Sequence, residues 1–378
     1  MFDKFLAAAV KAGASDIHLK ANAQPTLRVH GVLKEVKLDP IDDASMERLL
    51  GHILSQAGLD AGAPQSGIRV GEDGRLVVSE PQGPAELRTL RELDTSYFVD
   101  GVGRFRVNIL KQRGRFGAVL RSIPMGVPSL DDLGMPEVLK RVAREERGLV
   151  LVTGVTGSGK STTLAALIHE INREFRKHIV TIEDPIEFLH EDQMSRITQR
   201  EVGADTESFA AALRAALRQD PDVILVGEMR DAITIDTGLK AAETGHLVFS
   251  TVHTTDAAKT VSRLIDVFPH DAQAAVRLRL ADNLKATISQ RLLRRSDGQG
   301  RVVAMEIMVS TLTAREMIKD PGRTGELKDY IEKGRDMYGT QSFDQHLTDL
   351  YQQGVISLEV AKAAATNPAD FERALFVS

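Results

Sequence analysis

A glycine-rich stretch that ends in lysine and serine is the strongest chemical signal in the sequence. Residues 154–161 fit the pattern G-x-x-x-x-G-K-[ST], between an apolar run at 148–153 and an apolar-periodic run at 162–172. In a strand–loop–helix context this pattern binds nucleotide phosphates, because glycines let backbone N–H groups converge on phosphate oxygens and the helix N-terminus adds positive potential. We expect Lys160 to reach the β- and γ-phosphates and Ser161 to ligate Mg²⁺. The predicted nucleotide-binding residues of this stretch are Gly154, Val155, Thr156, Gly157, Ser158, Gly159, Lys160, Ser161 and Thr162.

Two further apolar runs end in carboxylates, which are the groups that hydrolysis of a bound nucleotide requires. Hydrolysis needs an acid that orients the metal and a group that positions the attacking water. The run that starts at residue 222 leads into Glu228, which we expect beside the Mg²⁺. The run that starts at residue 180 leads into Glu183, Asp184 and Glu187. Acids at a strand end are common on protein surfaces, but in this order after a phosphate loop they predict a hydrolytic site.

A histidine stands at each end of a third apolar run. His246 and His253 flank residues 247–252. Zinc binding is not favoured, because neither histidine has a partner at H-x₃-H or cysteine spacing. A histidine close to a γ-phosphate can sense it through a hydrogen bond, so we expect both side chains to respond to the nucleotide.

These motifs require a sheet that brings the ends of several strands together. Between residues 130 and 378, apolar strands at 149–153, 179–182, 223–226 and 247–252 alternate with helical stretches, and the tail beyond 313 is helical. Such alternation predicts a largely parallel sheet covered by helices.

The first 122 residues predict a smaller α/β domain. Helical periodicity covers residues 2–10 and 42–57, and alternating runs occupy 97–99, 104–110 and 117–123. The segment 58–90 is long and rich in glycine and proline, with one possible strand at 75–79. Residues 123–129, with prolines at 124 and 128, are predicted to be a linker.

Composition narrows the class of protein. The 378 residues include 48 Lys and Arg against 53 Asp and Glu, for a net charge of −5, with four Tyr and neither Trp nor Cys. Absence of cysteine excludes disulfides, cysteine zinc sites and thiol catalysis. The acidic balance and the few aromatics argue against a nucleic-acid motor, which binds phosphate with basic residues and stacks bases on rings. No apolar run is long enough to span a bilayer and no secretory signal is evident, so a cytoplasmic location is expected.

The motifs together resemble the secretion ATPase superfamily of type II secretion, type IV pili and type IV secretion. Residues 154–161, 181–187, 224–228 and 244–253 look like its Walker A, Asp, Walker B and His boxes. Within that superfamily the chain is most similar to the type IV pilus retraction ATPases, the PilT family. The stretches that carry this closer resemblance are 15–19, 103–108, 227–231 and 342–345.

The resemblance implies roles for individual residues. In the family pattern, Glu187 polarises the attacking water, Glu228 holds Mg²⁺, Lys160 is catalytic, and His246 and His253 report the nucleotide state. The N-terminal arginines that would neutralise phosphate charge are Arg104, Arg106 and Arg121.

The resemblance also implies an assembly. It predicts a PAS-like N-terminal α/β domain and a C-terminal RecA-like P-loop ATPase domain, arranged as a hexameric ring that uses ATP and Mg²⁺ to retract type IV pili and power twitching motility. The implied partners are an inner-membrane pilus platform protein and other pilus motor ATPases, with no nucleic acid. The implied location is the cytoplasmic face of the inner membrane.

Several alternatives stay open at this point. Assembly ATPases of the superfamily typically carry an extra N-terminal region and a tetracysteine site, which this chain lacks. The retraction subgroup has a C-terminal A-I-R-N-L-I-R-E stretch, where residues 313–320 have Glu316 in place of Asn and end in Lys–Asp. An accessory retraction paralogue or another secretion-system ATPase therefore remains an alternative. From other classes, a nucleic-acid translocase and a nucleotide-binding scaffold with poor hydrolysis remain.

Overall fold

A computed structural model describes residues 2–29, 31–56, 68–70, 76–78, 90–123, 126–298 and 300–377. The chain divides into two compact units, Met1–Met125 and Gly126–Ser378. The boundary lies within the segment 123–129. The predicted α/β class is confirmed, because each unit contains both helices and β-sheet.

The first unit is an antiparallel sheet with helices packed on it. In chain order its described elements are α1 (Phe2–Lys11), β1 (Ala14–Lys20), β2 (Thr26–Val29), β3 (Val32–Glu35), α2 (Asp43–Gln56), β4 (Ile68–Val70), β5 (Leu76–Val78), β6 (Glu92–Val99), β7 (Gly103–Gln112) and β8 (Arg115–Ile123). The main sheet has the order β3-β2-β1-β8-β7-β6, and β4 and β5 form a separate antiparallel pair. The strand predicted at 75–79 corresponds to β5, although Arg75 and Ser79 lie outside the described residues.

The helices of the first unit bury their apolar stripes against this sheet. In α2, the residues that recur at helical spacing, Met46, Leu50 and Ile53, are fully buried. They belong to one core cluster with alternate residues of the strands, among them Phe105 and Leu120. Because successive strand residues point to opposite faces, the residues between these buried positions lie on the other face of the sheet.

The second unit contains a seven-stranded sheet. Its described elements are α3 (Val138–Ala143), β9 (Gly148–Thr153), α4 (Lys160–Glu174), β10 (His178–Glu183), β11 (Arg196–Glu201), α5 (Phe209–Ala216), β12 (Val223–Val226), α6 (Ala232–Glu243), β13 (Leu247–Val252), α7 (Ala257–Asp266), α8 (His270–Asn283), β14 (Leu284–Arg294), β15 (Arg301–Val309), α9 (Leu312–Lys319), a 3₁₀ helix (Pro321–Glu326), α10 (Leu327–Lys333), α11 (Arg335–Tyr338), α12 (Phe343–Gln352), α13 (Leu358–Ala364) and α14 (Pro368–Val377).

The order of this sheet is β11-β10-β12-β13-β9-β14-β15, with all neighbours parallel except the last pair. The central strands are continuous apolar runs because both faces are covered by helices. Alternate residues of β9 enter two different clusters: Leu149 and Leu151 face one layer, and Val150 and Val152 face the other, which contains α4.

Parallel pairing places like ends of the strands together. We call the side where β9, β10, β12 and β13 end the carboxyl edge, and the side where they begin the amino edge. Among the described residues, no helix is long and apolar enough to cross a membrane.

Candidate active site

The phosphate loop, residues 154–159, joins β9 to α4 at the carboxyl edge. Three of its glycines have positive φ angles: +145° at Gly154, +79° at Gly157 and +91° at Gly159. A Cβ on Gly154 would lie 2.5 Å from the Ser158 hydroxyl and 2.8 Å from the Gln290 carbonyl oxygen. Side chains at these positions would be strained or would clash, so the loop takes this shape only with glycine.

Lys160 is the first residue of α4 and folds back over the loop. Its Nζ donates hydrogen bonds to the carbonyl oxygens of Gly154, at 3.0 Å, and Val155, at 3.1 Å. Burial lowers the pKa of Lys160, whereas the charges of Glu187 and Glu228 act in the opposite direction. The loop thus combines glycine residues, a helix N-terminus and a lysine whose charge interacts with two acids, which fits a nucleotide phosphate.

Ser161 and Thr162 occupy the first turn of α4, directly after Lys160. The Ser158 hydroxyl inside the loop is buried and has no hydrogen-bond partner among the described residues. These hydroxyls stand where the motif places a phosphate and its metal.

Glu228 lies two residues beyond β12, in a cluster of charged groups. Its Oε2 is 2.6 Å from Nη2 of Arg230 and 3.9 Å from Nε2 of His253. Burial lowers the pKa of His253, and the charges of Lys160 and Arg230 lower it further, while Glu228 opposes them. The structure therefore brings Lys160, Glu228 and His253 together. Arg230 was not predicted to belong to the site, although it lies in the stretch 227–231 that carries the family resemblance.

Glu183 and Glu187 have unlike surroundings. At the end of β10, the Glu183 carboxylate accepts hydrogen bonds from the Thr181 hydroxyl, at 2.7 Å, and the Gln199 amide, at 3.2 Å. Burial raises the pKa of Glu183, and the charge of Glu187 raises it further, against the effect of these hydrogen bonds. Glu187 is exposed. Glu183 is thus held by the fold, and Glu187 is the carboxylate presented to solvent beside Lys160.

A buried acid supports the loop that carries Glu187. Glu201, at the end of β11, is 5% exposed, and its Oε2 accepts the backbone N–H of Ile186 at 3.0 Å. The sequence did not predict that Gln199 or Glu201 belongs to the site, because β11 is a polar strand without an apolar run.

His246 lies at the amino edge, away from the phosphate loop of the same chain. Leu247 pairs with Gly148 and Val252 with Thr153, so β13 spans the sheet between the two histidines. At about 3.3 Å per residue, about 20 Å of strand separates His246 from Val252. The Nδ1 of His246 lies 2.9 Å from the carbonyl oxygen of Ala241, near the end of α6. Because a carbonyl only accepts, Nδ1–H is the donor and His246 caps that helix.

The predicted arginines lie in the first unit, on one face of its sheet. Arg104 and Arg106 are two residues apart on β7, and Arg106 pairs directly with Arg121 on β8. Arg121 donates to Asp16 at 2.9 Å, and Arg106 lies 4.0 Å from Asp94. Arg104 donates to the Ser96 hydroxyl at 2.8 Å. The three cations therefore form a row on the sheet face opposite the core of that unit.

No group of three or more His, Asp or Glu side chains within the described ranges could hold a metal ion. Magnesium binds proteins with one or two oxygen ligands, water and substrate phosphates, so this finding is compatible with ligation by Ser161 and Glu228.

The chain is similar to known proteins over nearly its whole length. The family described as Type II/IV secretion system protein matches residues 1–372. The type IV pilus retraction ATPase PilT of Pseudomonas aeruginosa is 44% identical over 97% of this chain and 99% of its own. The type IV pilus ATPase PilU of the same organism is 38% identical over 98% of this chain and 90% of its own.

Solved structures agree with the sequence comparisons. A crystal structure of the pilus retraction motor PilT with bound ADP superposes with a TM-score of 0.83, at 40% identity and 98% coverage of both chains. The chain therefore belongs to the type II/IV secretion system protein family and, within it, to the pilus retraction ATPases of the PilT type.

Proposed function

We propose that this chain is a Mg²⁺-dependent motor ATPase that retracts type IV pili and so powers twitching motility. The observation that carries the proposal is the cluster of Lys160, Glu228 and His253 around a complete phosphate loop, in a chain that matches PilT along its length. Retraction is the activity named for that relative.

The residues at the carboxyl edge account for the binding and hydrolysis of ATP in this proposal. Lys160 leaves the carbonyls of Gly154 and Val155 to neutralise the β- and γ-phosphates of ATP. Ser161 and Glu228 would hold Mg²⁺, which would supply positive charge to neutralise the phosphates. Glu187, exposed beside Lys160, positions the attacking water, while Glu183 is already held by Thr181 and Gln199.

His253 is the histidine that responds to the γ-phosphate. Burial and the charges of Lys160 and Arg230 lower its pKa and so favour the neutral ring, in which one nitrogen donates a hydrogen bond and the other accepts one. His246 has no such role in its own chain, because its Nδ1–H is engaged by Ala241 at the amino edge.

The motor is proposed to work as a homohexamer. In such a ring, the row of Arg104, Arg106 and Arg121 would approach phosphate as the two units close, and hydrolysis would release them. The partners are the inner-membrane pilus platform protein and the other pilus motor ATPases, at the cytoplasmic face of that membrane. An accessory retraction ATPase is the second candidate, since the chain is also similar to another type IV pilus ATPase, PilU.

Deletion of the gene in its host, scored for surface pili, tests the proposal. We expect excess pili that do not retract, restored by the wild-type gene and not by a Lys160→Ala allele. Cells without pili would instead indicate an assembly motor. Normal retraction with loss only of force under load would favour the accessory role, and ATP hydrolysis stimulated by DNA would favour a translocase.

A further inference from the structure

A glutamine interrupts the apolar row with which β14 faces α4. Ala286 and Ile288 are fully buried in the core cluster that contains residues of α4, and Gln290 is next in the same row, at 2% exposure. Burying an amide costs free energy unless it is hydrogen-bonded. Here the Gln290 Nε2 donates to the Thr163 hydroxyl at 2.6 Å.

Gln290 lies beside the start of the phosphate loop and contacts the helix that follows the loop. Ser289 pairs with Thr153, so Gln290 follows beside Gly154, and its carbonyl oxygen lies 2.8 Å from where a Gly154 Cβ would be. Its side chain holds Thr163 in the first turn of α4, and the Thr163 N–H in turn donates to the Gly159 carbonyl at 3.0 Å. One residue of a neighbouring strand therefore contacts the start of the loop and the helix that follows it.

Stability of the unit does not explain a glutamine at this position. Its Oε1 is buried without a hydrogen-bond partner among the described residues, which is a cost of burial. A leucine, together with a valine at position 163, would extend the row of Ala286 and Ile288 and leave neither the amide nor the Thr163 hydroxyl to be satisfied. Packing alone therefore does not account for the hydrogen bond between Gln290 and Thr163.

We propose that Gln290 is a positioning residue that fixes the distance between the two ends of the phosphate loop. With the loop ends fixed, its N–H groups and Lys160 are arranged before the nucleotide arrives, and binding requires less ordering of the chain. This inference rests on the proposed function, because it assigns Gln290 a role in nucleotide binding at that site.

The test compares nucleotide affinity with stability in two single variants and their double variant. Gln290→Leu and Thr163→Val each remove one partner, and we expect the Kd for Mg–ADP to rise about tenfold in each, as for loss of one hydrogen bond that orders a site. In the double variant two apolar groups replace the pair, so the thermal midpoint should return toward that of the wild type. The Kd should stay raised.

Either of two results from the binding and stability measurements would overturn the inference. Single variants that bind Mg–ADP as tightly as the wild type would show that the contact does not position the loop. A double variant that recovers both midpoint and affinity would show that the pair only stabilises the fold. A wild-type chain that binds no nucleotide would instead refute the proposed function itself.

A matched control lies on the same strand. Thr287 is fully buried and its hydroxyl has no partner within the described residues, so Thr287→Val should leave the Kd unchanged. If Gln290→Leu fails to fold, Gln290→Asn keeps the amide but is one methylene too short, and we expect the same rise in Kd. Without nucleotide, amides of residues 154–163 should exchange faster in each of the Gln290 variants, and unchanged exchange would contradict the inference.

Discussion

The strand β13 carries a histidine at each end, and the two histidines lie in unlike surroundings. His253 is at the carboxyl edge, 3.9 Å from Glu228 and close enough to Lys160 for its pKa to be lowered by that charge. His246 is at the amino edge, where it donates to the Ala241 carbonyl and its own carbonyl accepts the Gly148 N–H.

The difference follows from the direction of the strands. In a parallel sheet, ligands bind beyond the carboxyl ends, where loops are free to vary and helices begin with their positive ends. At the amino edge, helices end, and side chains there are available to pair with their last carbonyls. Two histidines of one sequence motif can therefore have different roles, one at the ligand-binding edge and one in capping a helix.

The largest expected effect is on ATP hydrolysis, and it should distinguish a lysine at the carboxyl edge from one at the amino edge. Lys160→Ala should abolish ATP hydrolysis, because no other group replaces its charge at the phosphates. Lys177 precedes β10 at the amino edge, 3.8 Å from Asp222, and Lys177→Ala should leave turnover unchanged. Phosphate release measures both. Phosphate release at the wild-type rate by the Lys160 variant would show that catalysis does not depend on the carboxyl edge.

Within the carboxyl edge, the acids of the Asp box should differ. Glu187→Gln should retain ATP binding and slow hydrolysis by about 10²-fold or more, as expected for loss of general-base help. Glu183→Gln should slow it less, since Glu183 is half-buried and accepts hydrogen bonds from Thr181 and Gln199. Single-turnover rates with measured ATP affinities test this order, and the reverse order would assign the water-positioning role to Glu183.

A buried acid should make the carboxyl edge sensitive to pH. Glu306 on β15 pairs with Ser289, and its carboxylate accepts the Ala257 N–H at the start of α7, which follows His253. Burial raises the pKa of Glu306 to about 7, from 4.5. The folded chain therefore holds a proton that the unfolded chain loses, and the stability gained from it disappears as pH rises from 4.5 through 7.

Glu306→Gln removes this titration while it keeps an acceptor for Ala257. The wild type should lose stability through this titration as pH rises, and the variant should not. From pH 5 to pH 8, the free energy of unfolding of the variant should therefore increase by about 2 kcal/mol relative to that of the wild type. Urea unfolding at several pH values measures the difference. Parallel stability curves for the two proteins would show that Glu306 keeps its ordinary pKa.

The smallest expected effects compare the two histidines directly. His253→Ala should lower kcat by about tenfold through loss of one hydrogen bond in the transition state. His246→Ala should leave turnover per folded chain unchanged and lower the free energy of unfolding by about 1 kcal/mol, the contribution of one hydrogen bond. Equal losses of kcat in both variants would mean that the amino edge also reaches nucleotide.

Local signals in the sequence predicted much of the fold. The runs at 223–226 and 247–252 coincide with β12 and β13, and those at 149–153 and 179–182 lie within β9 and β10, because continuous apolar runs bounded by polar residues are typical of buried strands. Family membership was likewise predicted from motifs and is confirmed by the comparisons.

What the sequence did not predict depends on distant pairing. The strands β11 and β14 were missed, since polar residues such as Gln199 and Gln290 interrupt their patterns. The edge on which each histidine lies follows from the register of β13 with β9, nearly 100 residues away along the chain. The contact of Gln290 with Thr163 spans 127 residues and leaves no local mark.

Hydrogen exchange of the wild-type chain with and without Mg–ADP tests the central claim most directly, because it reports both edges in one experiment. We predict slower exchange in the presence of Mg–ADP at residues 154–163 and around Glu228 and His253, and unchanged exchange at 241–247. Protection of 241–247 as strong as that of the phosphate loop, or none at 154–163, would contradict the assignment of nucleotide chemistry to the carboxyl edge alone.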